Sequence, residues 1–399
     1  MNKTLFLPLT SPLHEKVLVE ALLRQVQEEL QPLAESLEFH PLVSRKEEIP
    51  AATPLTVLFV ITGGIESLGV EVKAEEVYLL VHPAMNSLPA ALELRTWFAN
   101  HGIQASILDL ADLKKHLNER IKAWEVVQAF RTSRFALIGR PSSWLVSSMT
   151  SPEQIRQRWG IEVEEFPIEE MIHRYQRQEE GSLGDWLKAP GKVSERDRAD
   201  ALRFFQSMLG FLRDRPCDGI SLACFDFLMQ TGTAGCLTLA SLNDLGMTAA
   251  CEGDLPSLLT MRLLSLVSGH PTFMANPAWI EEDHLLLAHC TVAPSLVEHL
   301  SLRTHFESGK SVALAGDFPH GTYTIAKIAP SLEGIFCAPA QSFPWERREN
   351  LCRTQVYLHL EGAEHLKETP LANHLVLVPG DWCRPLREVA EILGLEVWS

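Results

Sequence analysis

Two acids two positions apart, Glu252 and Asp254, close the small apolar run Met247-Thr-Ala-Ala-Cys251 and stand immediately before a long apolar segment that begins at Leu255. This pattern predicts a buried strand that releases both carboxylates at its C-terminal end, where ligands bind in open α/β sheets. Residues two apart in extended chain point to the same side, so both acids could face one cavity and share proton transfer. Asp254 is equally suited to cap the helix that follows, with Pro256 in its first turn and Gly269 as its stop. Other strand-ending groups are Asn276, the dipeptide His289-Cys290, and His374 just before Leu-Val-Leu-Val378. A carboxylate, an amide oxygen and an imidazole brought together would make a mixed oxygen and nitrogen site suited to manganese or a similar divalent ion. The cluster Arg303-Thr-His305-Phe-Glu307 reads either as a substrate contact or as surface ion pairing.

The elements that must position these groups follow from hydropathy. Up to residue 131, strand-like runs such as Leu55–Ile61 alternate with helical segments, including one expected over residues 15–37. Thr62-Gly-Gly64 ends one of these strands but lacks both the dinucleotide fingerprint and the P-loop pattern, so it reads as a tight turn. A second alternating unit starts at Arg134-Phe-Ala-Leu-Ile-Gly139 and includes a polar stretch over 178–199, a strand over 218–227 and a helix over 231–245. Beyond Gly269 short strands dominate, separated by Gly and Pro turns, before a closing helix and strand. The predicted fold class is α/β: two doubly wound, Rossmann-like domains over 1–131 and 132–268, then a mostly antiparallel, barrel-like domain over 269–399.

Composition narrows the function classes. A chain of 399 residues is too long for one small core, and 46% hydrophobic with 22% charged residues is the balance of a soluble globular protein. The formal charge, 35 − 51 = −16, argues against nucleic acid, which demands a basic surface. No run has the length of a membrane span, and the interrupted N-terminal apolar run does not read as a secretory signal. The eight cysteines form no CxxC pair, which points to reduced thiols in a cytoplasmic protein.

Taken together, Cys251-Glu-Gly-Asp254, Phe273-Met-Ala-Asn276, His289-Cys-Thr291, Ala372-Asn-His374 and Gly380-Asp381 resemble the L-fucose isomerase family, in particular its compact, L-fucose-isomerase-like branch. Thr62-Gly-Gly and Asn86-Ser-Leu-Pro-Ala-Ala-Leu-Glu93 resemble stretches of that family's first domain. The resemblance implies aldose–ketose isomerisation of a monosaccharide through an enediol, with a manganese or other divalent ion. It puts the metal ligands on Glu252, Asn276 and His374, the proton-transfer partner on Asp254, and His289 and Cys290 at the sugar pocket. Asn276 stands where the family has a carboxylate, so one ligand brings no charge. His305 and Glu307 remain substrate-contact expectations from their own chemistry. Family members assemble as oligomers, which implies a homo-oligomer here. The alternatives are a non-catalytic carbohydrate-binding or regulatory protein on the same scaffold, and epimerase- or aldolase-type chemistry on the same enediol.

Overall fold

Apolar runs with no polar face have nothing to offer water on either side, and they become interior strands of parallel sheets. In the computed structural model, which describes residues 4–177 and 189–399, they build two units, residues 1–125 and 126–399. The first unit contains β1 (Thr4–Leu9), α1 (Lys16–Glu29), β2 (Leu37–Phe39), β3 (Thr53–Val60), α2 (Glu66–Gly69), β4 (Ala74–Leu80), α3 (Ser87–Asn100) and β5 (Gln104–Leu108). Its sheet is wholly parallel in the order β2-β1-β3-β4-β5, over a core that includes Leu7, Leu58, Val60, Leu79 and Phe98. The helix expected over 15–37 ends at Glu29. Pro32 has no N–H to continue it, so the chain takes a short 3-10 turn over Gln31–Leu33 and enters β2.

The helix α4 (Leu110–Arg131) leads to the second unit, which begins with β6 (Arg134–Ile138), α5 (Pro152–Trp159), β7 (Glu162–Phe166) and α6 (Ile168–Arg177). Residues 178–188 of the polar stretch expected over 178–199 lie outside the described residues; from Glu195 the chain is helical, as α7 (Glu195–Asp214). The strand expected over 218–227 is two elements, β8 (Gly219–Leu222) and α8 (Cys224–Thr231). A short apolar run fits either period, and Gly232 at φ 77° supplies the left-handed stop that a helix uses. Then come α9 (Cys236–Asp244), shorter than the helix expected over 231–245, β9 (Thr248–Cys251) and α10 (Leu255–Ser268). The second sheet, β7-β6-β8-β9, is again wholly parallel.

The rest of the chain supplies β10 (Phe273–Glu281), β11 (His284–His289), β12 (Glu298–Arg303), β13 (Ala313–Asp317), β14 (Thr322–Ile328), β15 (Gly334–Phe343), β16 (Thr354–His359), α11 (His365–Glu368), β17 (Leu375–Pro379), α12 (Cys383–Ile392) and β18 (Glu396–Trp398). Strands β16-β11-β10-β17-β14-β15 pair antiparallel in that order, and β15 pairs back to β16, which closes the ring as a barrel. Closure leaves the ring without free edges. Phe273, Ala275, Leu285, Leu287, Ile325, Leu375 and Leu377 belong to its core. Helix α10 is apolar on nearly every side, with Leu255, Leu258, Leu259, Met261, Leu263 and Leu264 all buried, as befits a helix covered by protein all round. Its Thr260 hydroxyl accepts the Ile328 amide at 2.9 Å, which ties the helix behind Asp254 to a barrel strand. Among the described residues no helix is long and apolar enough to cross a membrane.

Candidate metal centre

The strand β9 stops at Cys251 because the next two residues adopt left-handed backbone, Glu252 at φ 64° and Gly253 at φ 70°. Glutamate rarely sits there, and such strain persists only where neighbours fix it. Here Ser142 N–H donates to the Glu252 carbonyl at 2.9 Å, Gly253 N–H to Leu222 at 3.1 Å and Asp254 N–H to Cys251 at 3.2 Å. Gly253 is obligatory in a second sense: a Cβ there would lie 2.7 Å from the Pro141 Cα. This turn separates the two acids rather than leaving them side by side in extended chain.

They come to rest at opposite nitrogens of one imidazole. His374, just ahead of β17 and itself at φ 50°, places Nδ1 2.9 Å from Asp254 Oδ2 and Nε2 3.4 Å from Glu252 Oε1. His289, the last residue of β11, brings its Nε2 to 4.0 Å from the same Glu252 oxygen, and its Nδ1 meets the Thr291 hydroxyl at 2.9 Å. Glu252, His289 and His374 thus offer three ligand atoms within 4.8 Å of one another, all from buried residues. The other Glu252 oxygen, Oε2, accepts the indole N–H of Trp144 at 2.7 Å.

Two observations say that this set fits a divalent ion. His374 Nε2 is buried without a hydrogen-bond partner, an orphaned lone pair that a cation would satisfy. Two imidazoles and one carboxylate are also a donor set borderline transition metals accept. The proton positions agree. Ionised Asp254 can only accept, so His374 carries its proton on Nδ1 and presents Nε2 bare to the centre.

Burial and charge set the ionisation. Burial opposes charge on Glu252, but the nearby His374 and His289 imidazoles and the Trp144 N–H outweigh it and hold the carboxyl below its usual range. Burial, aided by His374, pushes the His289 imidazole down to about 4. His374 is held above its ordinary value, because its bond to Asp254 and the charges of Asp254 and Glu252 overcome burial. Asp254 is likewise opposed by burial, yet the Lys327 charge and the His374 bond keep it well below the carboxylate range.

The other sequence expectations are distributed around this centre. Asn276 sits on β10, partly exposed, opposite Ala288 and on the strand face away from the core residues Phe273 and Ala275. His289, a residue expected at the sugar pocket, joins Glu252 and His374 in the three-residue cluster. Cys290 is buried in a small apolar cluster with Leu228, Ala234, Cys236 and Ala313. The ring of His305 meets Phe225 edge-on at 5.6 Å, and Phe225 in turn meets Trp144 at 4.8 Å. Glu307 is exposed, with its carboxyl pushed up first by burial and also by the charge of Glu252, while His305 opposes the shift. Arg303 pairs with the exposed Glu349, the surface reading of its cluster. Two residues carried no expectation. Trp144 lies in the turn after β6, five residues beyond Gly139; Lys327 is a lone cation in the apolar run of β14.

No family model matches the chain. It is 22% identical over 312 residues to the sulfoquinovose isomerase of Alkalicoccus urumqiensis, a match that covers 72% of this chain and 70% of that one. It is 23% identical over 232 residues to the sulfoquinovose isomerase of Clostridium sp. (strain MSTE9), covering 55% of this chain and 48% of that one. Against the second relative the match therefore spans less than half of the relative's length. Both relatives are sugar isomerases by name, which supports the expectation of a sugar isomerase enzyme.

Proposed function

We propose that this chain is a metal-dependent aldose–ketose isomerase of a monosaccharide, with sulfoquinovose the first substrate to test because both relatives carry that name. The observation that carries the reading is the convergence of Glu252, His289 and His374 around an unpartnered imidazole nitrogen. These three residues would hold the ion, and manganese remains the proposed metal. Bound there, a divalent ion would supply Lewis-acid polarisation of the sugar carbonyl and offset negative charge developing on the sugar oxygens.

The protein groups divide the remaining work. Glu252, ionised at neutral pH, would accept at Oε2 the proton from the carbon beside the carbonyl, with the Trp144 N–H holding that oxygen in place. Asp254 is 0% exposed and cannot touch a sugar, so we assign it to orienting His374 rather than to the acid–base pair. Glu307, whose carboxyl is held protonated to higher pH than usual, is the proposed partner that returns a proton, with His305 beside it as a substrate contact. The half-exposed Trp144 ring would form one wall for the sugar. A three-domain division at 131 and 268, a homo-oligomer and a cytoplasmic setting belong to the same proposal.

The test is turnover of a sugar panel that includes sulfoquinovose and L-fucose, in D2O with proton NMR, on chelator-treated protein with and without added Mn2+. Metal-dependent ketose formation with deuterium at C1 of the ketose is expected, and Glu252→Gln should lower it by at least a thousandfold while circular dichroism stays unchanged. Retained activity in that variant, or a product other than the ketose, would overturn the assignment.

A further inference from the structure

Lys327 on β14 has a fully buried side chain, 0% exposed, and its ammonium donates to the Ser257 hydroxyl at 2.8 Å and lies 3.5 Å from Asp254 Oδ2. Placing an ammonium in a protein interior is costly unless its charge serves a partner, and an apolar side chain would pack there at lower cost. That partner is Asp254, which already accepts the Ser257 N–H at 2.8 Å on Oδ1 and the Ser257 hydroxyl at 2.8 Å on Oδ2. A helix cap alone needs only the first of these bonds. The second oxygen instead gathers Ser257, Lys327 and His374 Nδ1.

We infer that Lys327 is a positioning residue: by holding Asp254 Oδ2 in place it fixes the direction of His374 through the bond at Nδ1, and so aims Nε2 at the metal centre. The chain of contacts is Lys327 Nζ to Asp254 Oδ2, Asp254 Oδ2 to His374 Nδ1, and His374 Nε2 toward Glu252 Oε1. Remove the cation, and Asp254 Oδ2 loses one of the three groups that fix it, so the carboxylate can turn and the imidazole it holds at Nδ1 turns with it, which takes Nε2 off the centre. Lys327 touches neither the metal ligands' donor atoms nor the sugar, so its action passes through Asp254. The inference rests on reading the centre as a metal site.

Two measurements separate its fate from that of the metal reading. Nitrogen-15 NMR of histidine-labelled, metal-free wild-type protein at pH 8.5 should show His374 protonated at Nδ1; protonation at Nε2 would overturn the inference without any variant. Calorimetric titration with Mn2+ should show tight binding to the wild type, 10–100-fold weaker binding to Lys327→Met, and recovery to within a few fold in Lys327→Arg. Wild-type protein that binds no Mn2+ yet keeps the Nδ1 proton sinks the metal reading and leaves the positioning of the imidazole standing. A folded Lys327→Met protein with wild-type Mn2+ affinity would refute it, because a merely structural lysine would change only the melting temperature.

Discussion

Replacing Gly253 with alanine separates two costs that glycine usually hides together. Gly253 and Gly269 stand at nearly the same left-handed backbone, φ 70° and 72°, one at each end of α10. Any side chain pays for that conformation, and for alanine the loss is roughly 1–2 kcal/mol. At Gly269 nothing lies within 4 Å of the added Cβ, so the conformational term is the whole effect. At Gly253 the Cβ would sit 2.7 Å from Pro141 Cα, 2.8 Å from Pro141 N and 2.9 Å from the Arg140 carbonyl, all backbone atoms that cannot swing aside. Overpacking of this kind adds about 1–3 kcal/mol, so Gly253→Ala should lose roughly 2–5 kcal/mol in total against 1–2 for Gly269→Ala. The strain also has a direction. Moving the 140–142 backbone breaks the Ser142 bond to the Glu252 carbonyl and carries Trp144 away from Oε2. Urea unfolding of metal-free protein measures the first effect and calorimetric Mn2+ titration the second, with Gly269→Ala as control. Equal destabilisation of the two variants, or Gly253→Ala binding Mn2+ as tightly as the wild type, would refute the reasoning.

Trp144→Phe keeps a ring against Phe225 but removes the indole N–H from Glu252; a hydrogen bond to a charged group is worth roughly 1.5–3 kcal/mol, so kcat should fall at least about tenfold. The melting temperature should barely move, and a variant with unchanged kcat would remove Trp144 from the site. Stability against pH reports His289. Its folded pKa is depressed to about 4 while the unfolded value is near 6.5, so the unfolded chain binds the extra proton in that window. Its contribution is intact above pH 6.5 and is lost as the pH falls toward 4, by on the order of 3 kcal/mol. His374, held above its ordinary value, acts with the opposite sign: its contribution is present below pH 6.5 and is lost as the pH rises through its folded value. In metal-free protein, His289→Gln should therefore flatten the loss of stability between pH 6.5 and 4; identical pH profiles for variant and wild type would exclude a buried neutral imidazole there.

The sequence made the layers legible because two periodicities dominate it. Continuous apolar runs marked the parallel strands, and the change after Gly269 marked the barrel strands that close into a ring. Elements whose apolar residues fit both periods were not separable, as the division of 218–227 into β8 and α8 shows. At the site, Glu252 and His374 were readable as strand-end groups, and Asp254 was correctly seen as a helix cap. What spacing could not reveal was the left-handed turn at Glu252 and Gly253, which puts the acids on either side of an imidazole. The partnership of His289, and the service of Trp144 and Lys327, depend on register between elements distant in sequence, for which a single chain offers no local signal.

The three candidate ligand positions come from the ends of β9 and β11 and from the threshold of β17, so 37 residues separate the first two and a further 85 the third. Closing loops of that size carries an entropic cost that only a docked barrel and sheet repay. During synthesis no chelating cluster can exist until His374 has left the ribosome and β17 has found its place between β10 and β14. Metal capture would then mark the finished second unit, and a chain truncated before residue 374 would be unable to hold the ion however well its earlier sheets were formed.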